Sequence, residues 1–196
     1  MKMETNYSKN DLIEALKRVL NTDLNQKIPE ISPRTPAAVL IPFVFAEGKW
    51  QLLFTRRTNG VAKHQGEISF PGGAAESFDR DLIQTAIRES CEEIGVCEDK
   101  IHVIGVLDPV ATISEFCILP VVGIIDWPLE LTRNQDEVEK IFLIPLDWLK
   151  QSGNWYTQDF HYLPGKSKTV LHYQDFDGEH VWGITAGLAQ KIASII

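Results

Sequence analysis

The stretch that most constrains this chain is residues 70–96, FPGGAAESFDRDLIQTAIRESCEEIGV. Its second half has the periodicity of a helix. Ile83, Ile87, Cys91 and Ile94 recur at spacings of three and four, so they fall on one face. Glu92 is three and Glu93 four residues beyond Glu89, which clusters these carboxylates on another face. Like charges so placed repel one another, and helix propensity gives no reason for them. Arg88 softens the repulsion without cancelling it. A hard divalent cation would cancel it, because Mg²⁺ prefers carboxylate oxygens and keeps part of its water shell. The other reading is a solvated acidic face, the usual meaning of a charge run. Eight acids and two arginines lie between Glu76 and Asp99.

The approach to the helix suits the same purpose. Pro71-Gly72-Gly73 predicts a backbone turn with positive φ at a glycine. A loop carrying Glu76 and Asp79 follows, and Asp79 or Asp81 complements the dipole at the helix start. Glu76 is the nearest loop acid able to return to the same cation. Gly95 is the expected C-terminal stop.

With 196 residues, 44% of them hydrophobic, the chain is expected to form one globular domain over 1–196. Residues 1–36 supply an N-terminal helix and an extended connection to it. A net charge of −8 excludes a nonspecific binder of nucleic acid or of anionic membranes. An acidic protein still takes an anionic substrate where a metal and a few local cations reverse the field. Arg56, Arg57 and Lys63 are close enough to the glycine turn in sequence to do so. Three cysteines, an odd number without a CxxC pair, predict neither a disulfide framework nor a zinc site. Cys91 then reads as a small core residue, and a reducing cytoplasm as the compartment. No signal-peptide segment and no apolar run of spanning length is present.

In chain order, residues 8–20 predict a short amphipathic helix that opens on a Ser8–Asp11 capping box with Asp in place of Glu. Residues 21–36 read as extended, with Ile28 and Ile31 toward the core. Residues 37–45 are a buried strand in which Pro42 argues for a bulge or an edge. After a turn, Trp50, Leu52 and Phe54 alternate with Gln51, Leu53 and Thr55 and complete a hairpin. A polar loop, 59–67, leads to a short strand at 68–70. Beyond the acidic helix come strands at 101–107 and 116–125, the latter broken by Pro120. A strand from 137 and a short helix at 146–150 follow. Residues 153–178 hold Trp155, Tyr156, Phe160, Tyr162, Tyr173 and Phe176, and predict a loop with a hairpin. These aromatics either pack or stack on an adenine. Ile184, Leu188, Ile192 and Ile195 line a closing helix. The five histidines are scattered, and no pair has the helical spacing of a zinc site.

The acidic stretch resembles the Nudix box, a glycine-loop-helix motif ending in Arg-Glu-x-x-Glu-Glu-x-Gly. Gly73, Asp79, Arg88, Glu89, Glu92, Glu93 and Gly95 match it. Asp79 replaces the usual Glu, one extra residue separates it from Arg88, and Ser90 stands where an aliphatic residue is more common. Upstream, Leu53, Thr55, Arg57, Gly66 and the run Phe70 to Gly73 are similar to the signature of the coenzyme A diphosphatase branch. Phe54, Thr58 and Ala62 depart from that signature. Ala62 stands where the branch has arginine, with Lys63 next to it.

The resemblance implies an α/β fold, a Nudix-type α/β/α sandwich with a mixed β-sheet. It also implies attack of water on a phosphorus of a small-molecule diphosphate, assisted by Mg²⁺ or Mn²⁺. On that reading Glu89 and Glu93 are the principal metal ligands, Glu76 a further candidate, and Glu92 either a ligand or the general base. Arg88 orients the glutamates by ion pairing. Glu137 faces the site from a loop or stands as an exposed strand-edge acid. Arg56, Arg57, Lys63, His64, Gly72 and Gly73 are the substrate-binding candidates. Three functions are in competition: hydrolysis of coenzyme A or its thioesters, hydrolysis of another nucleoside diphosphate derivative, and noncatalytic ligand sensing. The chain is expected as a monomer or homodimer.

Overall fold

The computed structural model describes residues 8–24, 34–58, 66–113, 115–163 and 166–196. Ile28, Ile31, Ala62, Lys63 and His64 lie outside them.

Strand β1 (Thr35–Ala46) is apolar along most of its length because both its faces are covered. Ile41 and Phe43 point into one core, and Ala38, Leu40 and Val44 into the other. A turn reverses the chain into β2 (Lys49–Arg57), which pairs antiparallel with β1 from Phe43↔Leu52 to Ala46↔Lys49. Beyond this pairing the two strands part. Residues 68–74 enter the gap as β3 (Ile68–Ser69), paired with β2, and β4 (Gly72–Ala74), paired with β1. The Leu40 N–H donates to the Pro71 carbonyl in the middle of this wedge.

The expected glycine turn is therefore a short strand. Gly72 does carry a positive φ, 158°, but its position demands space above all. A Cβ there would lie 2.6 Å from the Val39 Cα.

Helix α2 (Leu82–Ile94) follows the wedge, with Asp81 as its N-cap accepting from the Gln84 N–H. Beyond it lie β5 (Ile101–Val106), β6 (Val110–Ala111) and β7 (Phe116–Ile125). Strand β7 runs parallel to β1, while β5 and β6 pair antiparallel with β7. Strand β8 (Val138–Pro145) pairs antiparallel with the other side of β2. The mixed sheet thus runs β8–β2–β1–β7–β5. Helix α3 (Leu146–Lys150), a hairpin of β9 (Trp155–Leu163) and β10 (Lys166–Tyr173), and α4 (Gly183–Ala193) complete the chain. Helix α1 (Lys9–Lys17) is N-capped by the Ser8 hydroxyl, which accepts from the Asp11 N–H.

Two cores give the layers. Leu12 and Leu16 of α1, Leu149 of α3, and Ala189 and Ile192 of α4 pack on one face of the sheet. Leu82, Ile83, Ala86 and Ile94 of α2 pack on the other. The fold is an α/β/α sandwich, as expected.

Four expectations need correction. Pro42 lies in an interior strand, neither bulged nor at an edge. Its nitrogen shares the side of β1 that Leu40 uses, where β4 has ended and the β2 pairing has not begun, so no ladder bond is lost. Pro120 does not break β7. Its carbonyl accepts from the Leu107 N–H in the interval between β6 and β5. The buried row of α2 runs through Ala86, Ser90 and Ile94, while Ile87 and Cys91 flank it. The helix turns Ser90 inward because its hydroxyl donates to the Ala86 carbonyl at 2.7 Å and is satisfied within the helix. Cys91 is bonded to Cys97 in a disulfide, with Cα atoms 4.4 Å apart. The left-handed Gly95 (φ 73°) that ends α2 folds Cys97 back beside the helix.

Of the aromatics in 153–178, Tyr173 is fully buried and Phe176 packs against the same core. Leu16 has no exposed surface and joins α1 to the sheet. Leu16→Ala is expected to lower stability by about 2–5 kcal/mol, read as a lower urea midpoint at unchanged slope.

Candidate active site

Arg88 sits midway along α2 and its guanidinium is the hub of the site. Nε and Nη2 donate to the two oxygens of Asp79, both at 3.0 Å. Nη2 also donates to the Ala74 carbonyl at 3.1 Å. Nη1 donates to Glu89 at 2.8 Å and to Glu92 at 2.9 Å. A guanidinium has five N–H donors, and these five bonds use them all. Three pieces of chain are thereby tied together: strand β4, the loop before α2, and α2 itself. The Asp79 bond first, then the charge of Glu89, raise the Arg88 pKa against the opposing effect of burial.

Asp79 is held as firmly. Its Oδ2 also accepts from the Glu76 N–H at 3.0 Å and the Thr85 hydroxyl at 2.9 Å. Burial alone would raise its pKa. The bonds from Arg88, Glu76 and Thr85 outweigh burial and hold the carboxyl below the usual carboxylate value.

The three glutamates do not share one solvent face. Their side chains are 15% (Glu89), 55% (Glu92) and 2% (Glu93) exposed. Helix rotation causes the difference: Glu92 projects outward onto Arg88, while Glu93 turns toward the sheet and meets Arg57 at 3.5 Å. Glu93 Oε2 is buried without a hydrogen-bond partner. Burial pushes the Glu93 carboxyl up to about 8, Glu89 and Glu137 add to the rise, and Arg57 and the Gly72 N–H oppose it. Glu89 is raised as well, by burial first, with Glu92 and Glu137 adding to it against Arg88.

Glu137 therefore faces the site. Asn134 places it: the Asn134 N–H donates to the Glu93 carbonyl at 2.9 Å, and its side-chain amide to Glu137 Oε1 at 3.3 Å. The same loop finishes α2, since the Thr132 N–H bonds the Ile94 carbonyl.

A family model described as the NUDIX domain matches residues 34–165. The chain belongs to the Nudix hydrolase family. An uncharacterized Nudix hydrolase NudL of Pectobacterium atrosepticum is 33% identical over 189 residues, 96% of this chain and 95% of its own. A NudL of Klebsiella pneumoniae subsp. pneumoniae is 39% identical over 158 residues, 80% of each chain. A solved MutT/nudix family protein from Enterococcus faecalis superposes with a TM-score of 0.55 at 12% identity. That superposition covers 97% of this chain and 69% of the other, and it shows a shared fold.

Nudix hydrolases generally use divalent metal ions. The donor set here fits one: an orphaned buried carboxyl oxygen on Glu93, Glu89 beside it, and neighbouring glutamates that raise the pKa of both. Among the described residues no three His, Cys, Asp or Glu side chains converge on one point. Mg²⁺ needs no such cage, because one or two carboxylates plus water and substrate phosphate suffice.

The remaining candidates divide. Glu76 is exposed in the loop and engages Asp79 through its backbone. Gly73 lies against Glu89, and a Cβ there would meet the Glu89 carboxylate at 2.5–2.7 Å. Arg56 and Arg57 do not act together, since neighbours in a strand point to opposite faces. Arg57 reaches α2, whereas Arg56 bonds Glu179 at 2.8 Å and Glu139 at 3.1 Å. The Asp79–Arg88 clamp and the Arg57–Glu93 pair carried no sequence signal beyond the match to the box.

Gly73→Ala should displace Glu89, a flexible side chain, and abolish most activity with little change in melting temperature. Gly72→Ala meets backbone and should destabilise the fold. Parallel melting and turnover assays separate the two. Asp79→Asn should cost on the order of 3 kcal/mol near pH 7, since it breaks a buried ion pair. The Asp79 pKa is lower folded than unfolded, so its stabilisation is present above the unfolded value and lost as pH falls through the folded one. The stability gap between wild type and Asp79→Asn should therefore narrow from pH 6 toward pH 3, as urea titrations would show.

Proposed function

We propose that this Nudix hydrolase cleaves the diphosphate linkage of coenzyme A or its thioesters, giving 3′-phosphoadenosine 5′-phosphate and (acyl-)4′-phosphopantetheine. The single observation that carries the reading is Glu93. It is a carboxyl near the C-terminal end of α2, buried, with one oxygen unpartnered. Sequence similarity to the coenzyme A diphosphatase signature through Leu53, Thr55, Arg57, Gly66 and Phe70 to Gly73 supports the choice of substrate. Hydrolysis of another nucleoside diphosphate derivative is the second reading, and Ala62 in place of arginine favours it.

Glu89 and Glu93 would hold Mg²⁺ or Mn²⁺, which supplies charge neutralisation on the diphosphate oxygens. Arg88 has no donor left for substrate and keeps Glu89 and Glu92 in place. Arg57 lies beside Glu93 at 3.5 Å and is the proposed cation for the substrate phosphate. Two acids compete for the proton of the attacking water. Glu92 accepts from Arg88 at 2.9 Å and is held on that guanidinium. Glu137 accepts from the neutral Asn134 amide, and we assign it the proton. Lys63 and His64 remain in the proposed substrate set on sequence alone.

The same reading takes residues 1–196 as one domain, monomeric or dimeric, in the cytoplasm. Among the described residues no helix is long and apolar enough to cross a membrane.

Purified protein with Mg²⁺ or Mn²⁺ should convert coenzyme A in a panel that also holds ADP-ribose, dinucleotides and oxidised nucleotides, with products identified by mass spectrometry. Turnover of the other compounds with coenzyme A untouched would overturn the substrate assignment. Glu93→Gln should remove nearly all turnover while the protein stays folded, and Glu137→Gln should cost more than Glu92→Gln.

A further inference from the structure

His172 on β10 and His180 in the loop after it are eight residues apart, and the fold brings their rings together. His172 Nδ1 stands 3.1 Å from His180 Nε2, and Asp175 Oδ1 stands 2.8 Å from His180 Nδ1. The carboxylate fixes His180 as its Nδ1–H tautomer, so the Nε2 lone pair faces His172. His172 is fixed too. Its strand neighbours on either side are Tyr156 and Trp182. Both rings stack on it, at 5.3 Å and 15° for Tyr156 and at 5.8 Å and 14° for Trp182.

We propose that His172 and His180 together bind a borderline transition-metal ion such as Zn²⁺, with Asp175 orienting His180 from behind. Zn–N bonds of about 2.0–2.1 Å in a tetrahedral site place two nitrogens roughly 3.3 Å apart. That is a few tenths of an ångström more than the present separation. The proton on His172 Nδ1 moves to its Nε2, a change of tautomer that releases no proton. A carboxylate on the far nitrogen of a ligating histidine is the usual support of such sites. Imidazole pairs suit Zn²⁺, Ni²⁺ and Cu²⁺, whereas carboxylates suit Mg²⁺ and Mn²⁺. This pair and the Nudix glutamates therefore differ in the ions they select. Among the described residues no third His, Cys, Asp or Glu completes a ligand set, so water or an added ligand takes the remaining positions.

The test is calorimetric titration of the full chain with Zn²⁺ in excess Mg²⁺, with Ni²⁺ broadening of the histidine ring resonances as a second readout. One Zn²⁺ per chain is expected. Binding should be lost in His172→Ala and His180→Ala and weakened about 10- to 100-fold in Asp175→Asn. His180 is 42% exposed, so its variant should fold, and circular dichroism checks that. Ni²⁺ should broaden His172 and His180 before His102 and His161. No Zn²⁺ binding by the wild type, binding undiminished in the His180→Ala variant, or broadening confined to the other histidines would overturn the proposal.

Discussion

The geometry of the site depends on one ion pair, the fork of Arg88 on both oxygens of Asp79. A single residue on α2 thereby fixes the loop before it and, through the Ala74 carbonyl, the strand that delivers the glycines. With its last donors on Glu89 and Glu92, Arg88 also sets which way the helix presents its acids. A paired, hydrogen-bonded guanidinium tolerates burial that a lone charge would not. The clamp therefore sits within the structure and leaves the outer surface of the site to other groups.

The wedge of residues 68–74 supplies the second constraint. Because β1 and β2 separate, backbone without side chains comes up against α2, and Glu89 lies directly over Gly73. Glu93, one turn further along α2, is buried, and burial is the first cause of its raised pKa. Glu89 and Glu137 make Glu93 harder to charge, and Glu92 and Glu137 do the same for Glu89. A multivalent cation would offset such repulsion.

Much of this was legible in the sequence where the signal is local. The extent of α2, its Gly95 stop, the β1–β2 hairpin, the helix at Leu146–Lys150 and the aromatic hairpin all follow from periodicity and turn chemistry over a few residues. What was not legible depended on distant chain. Pro42 and Pro120 read as interruptions because nothing nearby shows that neighbouring strands end opposite them. The rotation of α2 that buries Glu93 and Ser90 is set by the sheet beneath. Cysteine counting could not reveal that Gly95 brings Cys97 back to Cys91. The alternation of β2 did contain the separation of Arg56 from Arg57, but their shared closeness to the glycines in sequence suggested one common task.

The central claim is that Glu89 and Glu93 form the cation site of this Nudix hydrolase. Anomalous diffraction from crystals soaked in Mn²⁺ tests it most directly. A peak within coordinating distance of both carboxylates, with Glu93 Oε2 no longer unpartnered, is the predicted result. Glu93 still resting on Arg57 and Glu89 on Arg88, with manganese elsewhere or nowhere, would contradict it.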